Sequence, residues 1–131
     1  MNKPTLFLVE DEEDTATLIR MIMEEEGYDV VHANDGKQAQ VKIDALPPPA
    51  LVLLDMELPH MHGLELLAHI RKKSTWNGVS VVMLTADGDQ THICKAIMAG
   101  ASDYVLKPFK REPLLARLAR FRVPGLKRRS A

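Results

Sequence analysis

One cysteine, Cys94, stands in 131 residues. A lone thiol excludes an internal disulfide and suits a reducing cytosol. No apolar stretch approaches the roughly 18 residues that a membrane span needs. The start, Met1-Asn2-Lys3-Pro4, has no signal-peptide design. No glycine-rich turn follows the first apolar run, which disfavours a dinucleotide-binding enzyme. Internal repeats are lacking, and low complexity is limited to Pro47-Pro48-Pro49. These absences leave one soluble, cytoplasmic globular domain as the expectation, with a length sufficient to bury a single core.

Net charge is also scarce, at −1, but it is unevenly placed. Glu10, Asp11, Glu12, Glu13 and Asp14 crowd the beginning. From Lys107 onward, lysines and arginines face Glu112 alone. A basic end can hold nucleic acid or an acidic partner; more often it is a solvated helix face. After Pro124 too few residues remain to fold into a DNA reader. Direct nucleic-acid binding is therefore disfavoured. The domain is expected over residues 1–124, with 125–131 a basic tail or the start of a linker.

The chain is organised around Leu51-Val52-Leu53-Leu54-Asp55. Four apolar residues ending in a carboxylate read as a strand buried on both faces. The prolines upstream and Pro59 downstream disfavour a helix there. Further strands are predicted over Thr5–Val9, Tyr28–Ala33, Val79–Leu84 and Tyr104–Leu106. Between them apolar residues recur at helical spacing. The inward positions expected are Thr15, Leu18, Ile19, Ile22 and Met23; Ala39, Ile43 and Leu46; Leu64, Leu67, Ala68 and Arg71; Ile93, Ala96 and Ile97; and Leu114, Leu115, Leu118 and Phe121. Gly27 and Gly100 read as helix stops. Asp35, and either Asp87 or Asp89, read as N-caps. Trp76, in a polar loop, is expected to be partly exposed. Five strands alternating with five helices predict a parallel sheet covered on both faces, because parallel neighbours need crossover connections.

In such a sheet ligands bind at the carboxyl ends of the strands. Glu10 and Asp11 stand at the first of these ends, Asp55 at the third, Thr85 at the fourth and Lys107 at the fifth. Taken singly, Glu10 and Asp11 read equally well as helix caps, and Asp55 reads more readily as a turn or helix cap than as a reactive group. Three carboxylates sharing one crevice require a cation or a raised pKa. Oxygen ligands without nearby Cys or His favour Mg²⁺ over zinc. An acceptor carboxylate, a divalent ion, a lysine and a hydroxyl make up the equipment of phosphoryl transfer. His60 and His62 follow Pro59 in a loop and read as solvated residues.

Four segments carry a family resemblance: Leu8-Val9-Glu10-Asp11-Glu12, Leu53 to Gly63, Met83-Leu84-Thr85-Ala86, and Gly100 to Phe109. In this order and spacing the chain resembles the receiver domain of two-component response regulators over about residues 4–122. The resemblance implies a flavodoxin-like (βα)5 α/β fold, doubly wound, with strand order 2-1-3-4-5. It implies Asp55 as phosphoacceptor, Asp11 as a direct metal ligand, Glu10 as its acidic neighbour acting directly or through water, and the Glu57 backbone carbonyl as a further ligand to Mg²⁺ or Mn²⁺. Thr85 and Lys107 match the phosphoryl-binding pair, and Tyr104 the aromatic that turns inward when Thr85 moves. Lys107-Pro108 matches a peptide bond commonly cis in the family. Glu57 and Asp87 stand at two positions that tune acyl-phosphate hydrolysis. The implied function is a phosphorylation switch and not an enzyme. A sensor histidine kinase or histidine phosphotransferase is the donor, and a downstream protein reads the fourth helix, fifth strand and fifth helix near Lys95, Tyr104 and Arg117. Dimerisation is left open. The alternatives are a receiver-like interaction module independent of phosphorylation, and a phosphatase with an Asp nucleophile; the latter wants an Asp where Glu57 stands.

Overall fold

The structure, a computed structural model, describes residues 3–127. Arg128 and Arg129 of the expected basic tail lie outside the described residues. The elements alternate throughout: β1 (Thr5–Val9), α1 (Glu13–Glu25), β2 (Asp29–Ala33), α2 (Gly36–Ala45), β3 (Leu51–Asp55), α3 (Gly63–Lys72), β4 (Ser80–Thr85), α4 (Gln90–Met98), β5 (Asp103–Leu106) and α5 (Arg111–Leu118), with a 3-10 turn over Ala119–Phe121. All strand pairs are parallel, in the order β2-β1-β3-β4-β5. The doubly wound, flavodoxin-like α/β fold is thus present, and β3 lies at its centre.

Strand periodicity divides the core into two layers. Phe7, Val9, Val52, Leu54, Val81 and Met83 point to the face covered by α2, α3 and α4. Leu6, Leu8, Leu51, Leu53, Val82 and Leu84 point to the face covered by α1 and α5. Every residue of β3 is buried, as a strand sandwiched between helices must be.

Four helical faces differ from the sequence expectation. At the end of α2, Leu46 is exposed, whereas Ala39 and Ile43 are buried as expected. In α1 the buried stripe is Ala16, Ile19, Ile22 and Met23, while Leu18 is exposed. In α3 the inward residues are Gly63, Leu66, Leu67 and Ile70, not Leu64, Ala68 and Arg71. The apolar set was ambiguous by one position, and the approach of Gly63 to β3 selects the register. A Cβ on Gly63 would lie 2.4 Å from the Asp55 carbonyl oxygen. In α4, Ile97 is exposed beside buried Ile93 and Ala96.

Trp76 also departs from expectation. It is buried, edge-on to Phe7 at 5.8 Å between ring centroids, and its Nε1 donates to the Leu46 carbonyl at 3.2 Å. Gly27 takes φ +107 after α1, as the stop required. The chain returns across it: the Lys127 carbonyl oxygen lies 2.2 Å from where a Gly27 Cβ would stand. Arg122 Nη1 donates to buried Glu26 at 2.8 Å, and Leu126 packs under the α1–α5 layer.

Candidate phosphoryl-transfer site

Parallel strands bring all their carboxyl ends to one edge, and β1 is hydrogen-bonded directly to β3. Val9 is paired with Leu54, so the residues that follow, Glu10 and Asp55, emerge side by side. Carboxylate oxygens of Glu10, Asp11 and Asp55 lie within 4.8 Å of one another. Glu10 and Asp55 are buried, and Asp11 is exposed. Asp55 Oδ1 accepts from the Glu57 N–H at 3.0 Å. Asp55 Oδ2 accepts from Lys107 Nζ at 2.8 Å. The ammonium of β5's following residue therefore crosses β4 to reach the end of β3. The Lys107 N–H bonds the Thr85 carbonyl at 2.8 Å, which fixes the start of that reach, and the Lys107–Pro108 peptide is cis.

Charge in this pocket is unbalanced. Lys107 Nζ also stands 2.9 Å from Glu10 Oε1, but at an angle that makes no hydrogen bond. Glu10 Oε1 is thus a buried oxygen that accepts no hydrogen bond among the described residues. Burial, with Asp55 beside it, raises the Glu10 carboxyl to about 7 despite the lysine. Burial alone would lower the Lys107 pKa; the hydrogen bond to Asp55 and the charges of Asp55 and Glu10 outweigh it and raise it. One ammonium, paired with Glu10 and Asp55 in a group of three acids, leaves room for a further cation, and an all-oxygen donor set suits a hard divalent ion such as Mg²⁺. The residues fit that ion on two observations: the unbonded Glu10 oxygen and the exposed approach past Asp11.

Thr85 lies at the same edge and is buried, but its hydroxyl is turned elsewhere. It donates to Glu57 Oε1 at 3.5 Å and accepts from the Asp87 N–H at 3.0 Å. Tyr104 is half-buried; the Arg117 guanidinium lies 4.6 Å from its ring centroid, and Arg117 Nε donates to its carbonyl oxygen. Asp87 is bound by the Asp89 N–H and by His92 Nδ1. His60 and His62 join no ligand group among the described residues; His62 caps α3 by accepting from the Leu64 N–H. Sequence reasoning missed His92. No local pattern signalled it, because the pair joins a loop to a helix start. Glu57, Asp87, His62, His92 and Lys95 line a recess of about 270 Å³.

The family model for the response regulator receiver domain matches residues 6–119. The DNA-binding response regulator MtrA of Mycolicibacterium smegmatis is 39% identical over 113 residues, covering 86% of this chain and 48% of the relative. The phosphate regulon transcriptional regulatory protein PhoB of Rhizobium meliloti is 35% identical over 115 residues, covering 88% and 50%. The chain thus spans about half the length of these curated relatives. Among solved structures, the receiver domain of the sensor histidine kinase PA1611 from Pseudomonas aeruginosa, with magnesium in its active-site cleft, superposes with TM-score 0.82. It is 31% identical and covers 92% of this chain and 98% of that one. The chemotaxis protein CheY4 of Vibrio cholerae superposes with TM-score 0.86 at 25% identity, covering 92% and 99%.

Proposed function

The chain belongs to the response regulator receiver domains of two-component systems, and on that premise we propose that Asp55 accepts a phosphoryl group from a phosphohistidine donor. The donor is a sensor histidine kinase or a histidine phosphotransferase. The observation that carries the reading is the meeting of Lys107 Nζ with Asp55 Oδ2 at 2.8 Å amid three carboxylates. In the transfer the phosphorus–nitrogen bond of the donor breaks as a bond forms from Asp55 oxygen to phosphorus. The electron pair stays on the departing imidazole. Asp11, Asp55, the Glu57 carbonyl and Glu10, directly or through water, would hold Mg²⁺ or Mn²⁺, which would supply positive charge for the phosphoryl oxygens.

Lys107 binds one of those oxygens and orients the acceptor carboxylate. Thr85 leaves Glu57 and donates its hydroxyl to another. Its departure gives Tyr104 the space to turn inward, which shifts an existing equilibrium rather than creating a new shape. Glu57 and Asp87 set how fast water removes the phosphoryl group. The chain is a phosphoacceptor, not a turnover enzyme, and it works in the cytoplasm. The state is read at the α4–β5–α5 face, near Lys95, Tyr104 and Arg117, by a partner protein or an output segment. Residues 1–124 form the receiver and 125–131 the start of a linker or a tail.

Incubation with acetyl phosphate and Mg²⁺, followed by intact-mass measurement, tests this. One phosphoryl adduct is expected on the parent chain and none on Asp55→Ala. An adduct that persists in the variant, or no adduct with any donor, would overturn the proposal and favour an interaction module independent of phosphorylation.

A further inference from the structure

The loop between β4 and α4 is tied at three points. The Asp87 N–H donates to Thr85 Oγ1 at 3.0 Å. Asp87 Oδ1 accepts from the Asp89 N–H at 2.9 Å, and Asp87 Oδ2 pairs with His92 Nδ1. Asp89 in turn caps α4 by accepting from the Thr91 N–H at 2.8 Å. His92 sits in the first turn of α4, so its imidazole fastens that turn to the Asp87 side chain. Through the Asp87 backbone the fastening ends at the Thr85 hydroxyl. In this arrangement the hydroxyl faces Glu57 and not Asp55.

We propose that His92 is a positioning residue: by holding Asp87 it keeps the Thr85 hydroxyl in its resting direction, and it thereby restrains entry into the phosphoryl-bound arrangement. The inference rests on the reading of Asp55 as phosphoacceptor. To serve a phosphoryl oxygen, Thr85 must give up the Asp87 N–H. That exchange is easier when the loop is free to follow. His92 touches no reacting atom and acts only through Asp87.

The charges around the pair support the assignment. Hydrogen bonding and charge from Asp87, with Asp89 adding charge, raise the His92 pKa and outweigh Lys95. The Asp89 N–H first, then His92, lower that of Asp87. Glu57 and His62 face the same recess from the β3–α3 loop. Both partners are solvated, so the restraint is modest: an exposed pair corresponds to roughly a two- to fivefold change in an equilibrium.

The experiment is a double-mutant cycle on the initial rate of phosphorylation by acetyl phosphate at saturating Mg²⁺. His92→Ala should raise that rate by roughly two- to fivefold. His92→Asn, which keeps a donor near the Nδ1 position, should restore the parent rate. In an Asp87→Ala background, His92→Ala should change nothing, because its partner is already gone. A rate that does not rise, or that rises equally in both backgrounds, would overturn the proposal. The Asp87 amide proton, followed by NMR, gives a reading that needs no phosphoryl group. Its resonance should move upfield in His92→Ala and stay in His92→Asn; an unmoved resonance would overturn the inference. Should the parent chain accept no phosphoryl group at all, the previous proposal falls, and the amide measurement alone decides the role of His92.

Discussion

Lys107 Nζ lies 2.8 Å from Asp55 and 2.9 Å from Glu10, so one ammonium serves two carboxylates that solvent does not reach. A lysine can do this because it is a compact point charge on a flexible stem; the planar fork of arginine would spend both arms on one carboxylate. Its residue number alone said little, since a lysine before a proline is most often a loop residue. What made it legible was company: an acid, a hydroxyl and an amine at successive strand ends. Trp76 had no such company. Its neighbours Ser74, Thr75, Asn77 and Gly78 are polar, and only tertiary contact with Phe7 and the Leu46 carbonyl reveals a core residue. Trp76→Phe should cost about 1–3 kcal/mol, about 1 of it for the indole hydrogen bond and the rest for the void left by a smaller ring. Urea unfolding measures this; a variant as stable as the parent would mean that the ring contributes no packing.

At the scale of the element, the junction of β3 with α3 is the tightest point near the site. Gly63 N–H donates to the Met56 carbonyl at 2.8 Å, which brings the start of α3 against the end of β3. A methyl group on Gly63 would stand 2.4 Å from the Asp55 carbonyl oxygen and 2.7 Å from Met56 Cα, and both are backbone atoms that cannot swing aside. Gly63→Ala should therefore destabilise by about 1–3 kcal/mol or more. It should also slow phosphorylation of Asp55 by about tenfold or more, because the strand end that aims the carboxylate must shift. Denaturation and acetyl-phosphate labelling of the same variant check both effects; an unchanged labelling rate in a destabilised protein would separate packing from aim. The existence of the strands and helices and their alternation along the chain were readable because helical spacing and apolar runs repeat five times; the order of the strands in the sheet came from the family resemblance. Helix faces were less readable. Leu64, Leu66, Leu67, Ala68 and Ile70 form an apolar set wide enough for two registers, and the choice depends on a backbone approach that no local pattern encodes. For α1 the same ambiguity set Leu18 against Ala16, and the smaller residue was the buried one. The Asp87–His92 pair was illegible for a related reason: it joins a loop to a helix, and neither periodicity marks it.

For the whole molecule, the pocket's excess of carboxylate links folding to pH. Glu10 titrates near 4.5 when exposed and at about 7 in the folded chain, chiefly because it is buried. Between those values the folded state holds a proton that the unfolded state has released. Stability must then fall as pH rises through this window, the reverse of the usual salt-bridged acid. The shift sets a ceiling on the order of 3 kcal/mol, counting about 1.4 for each pH unit. A divalent ion would recover the loss, since it binds the ionised carboxylates and binds the folded chain alone. Thermal unfolding at pH 5.5 and pH 8, with and without MgCl2, is the measurement. Without the ion, the melting temperature should be higher at pH 5.5; added Mg²⁺ should raise it more at pH 8. His92 works in the same direction, because its pKa is raised by Asp87 and its contribution fades as pH climbs past its own titration. Glu10→Gln therefore isolates the buried acid. That variant should lose most of the pH slope and part of the Mg²⁺ response, whereas His92→Ala should lose only a minor part of the slope and keep the Mg²⁺ response. An equal Mg²⁺ response at the two pH values in the parent chain would mean that Glu10 is already ionised when folded, and that the lysine alone suffices to balance the pocket.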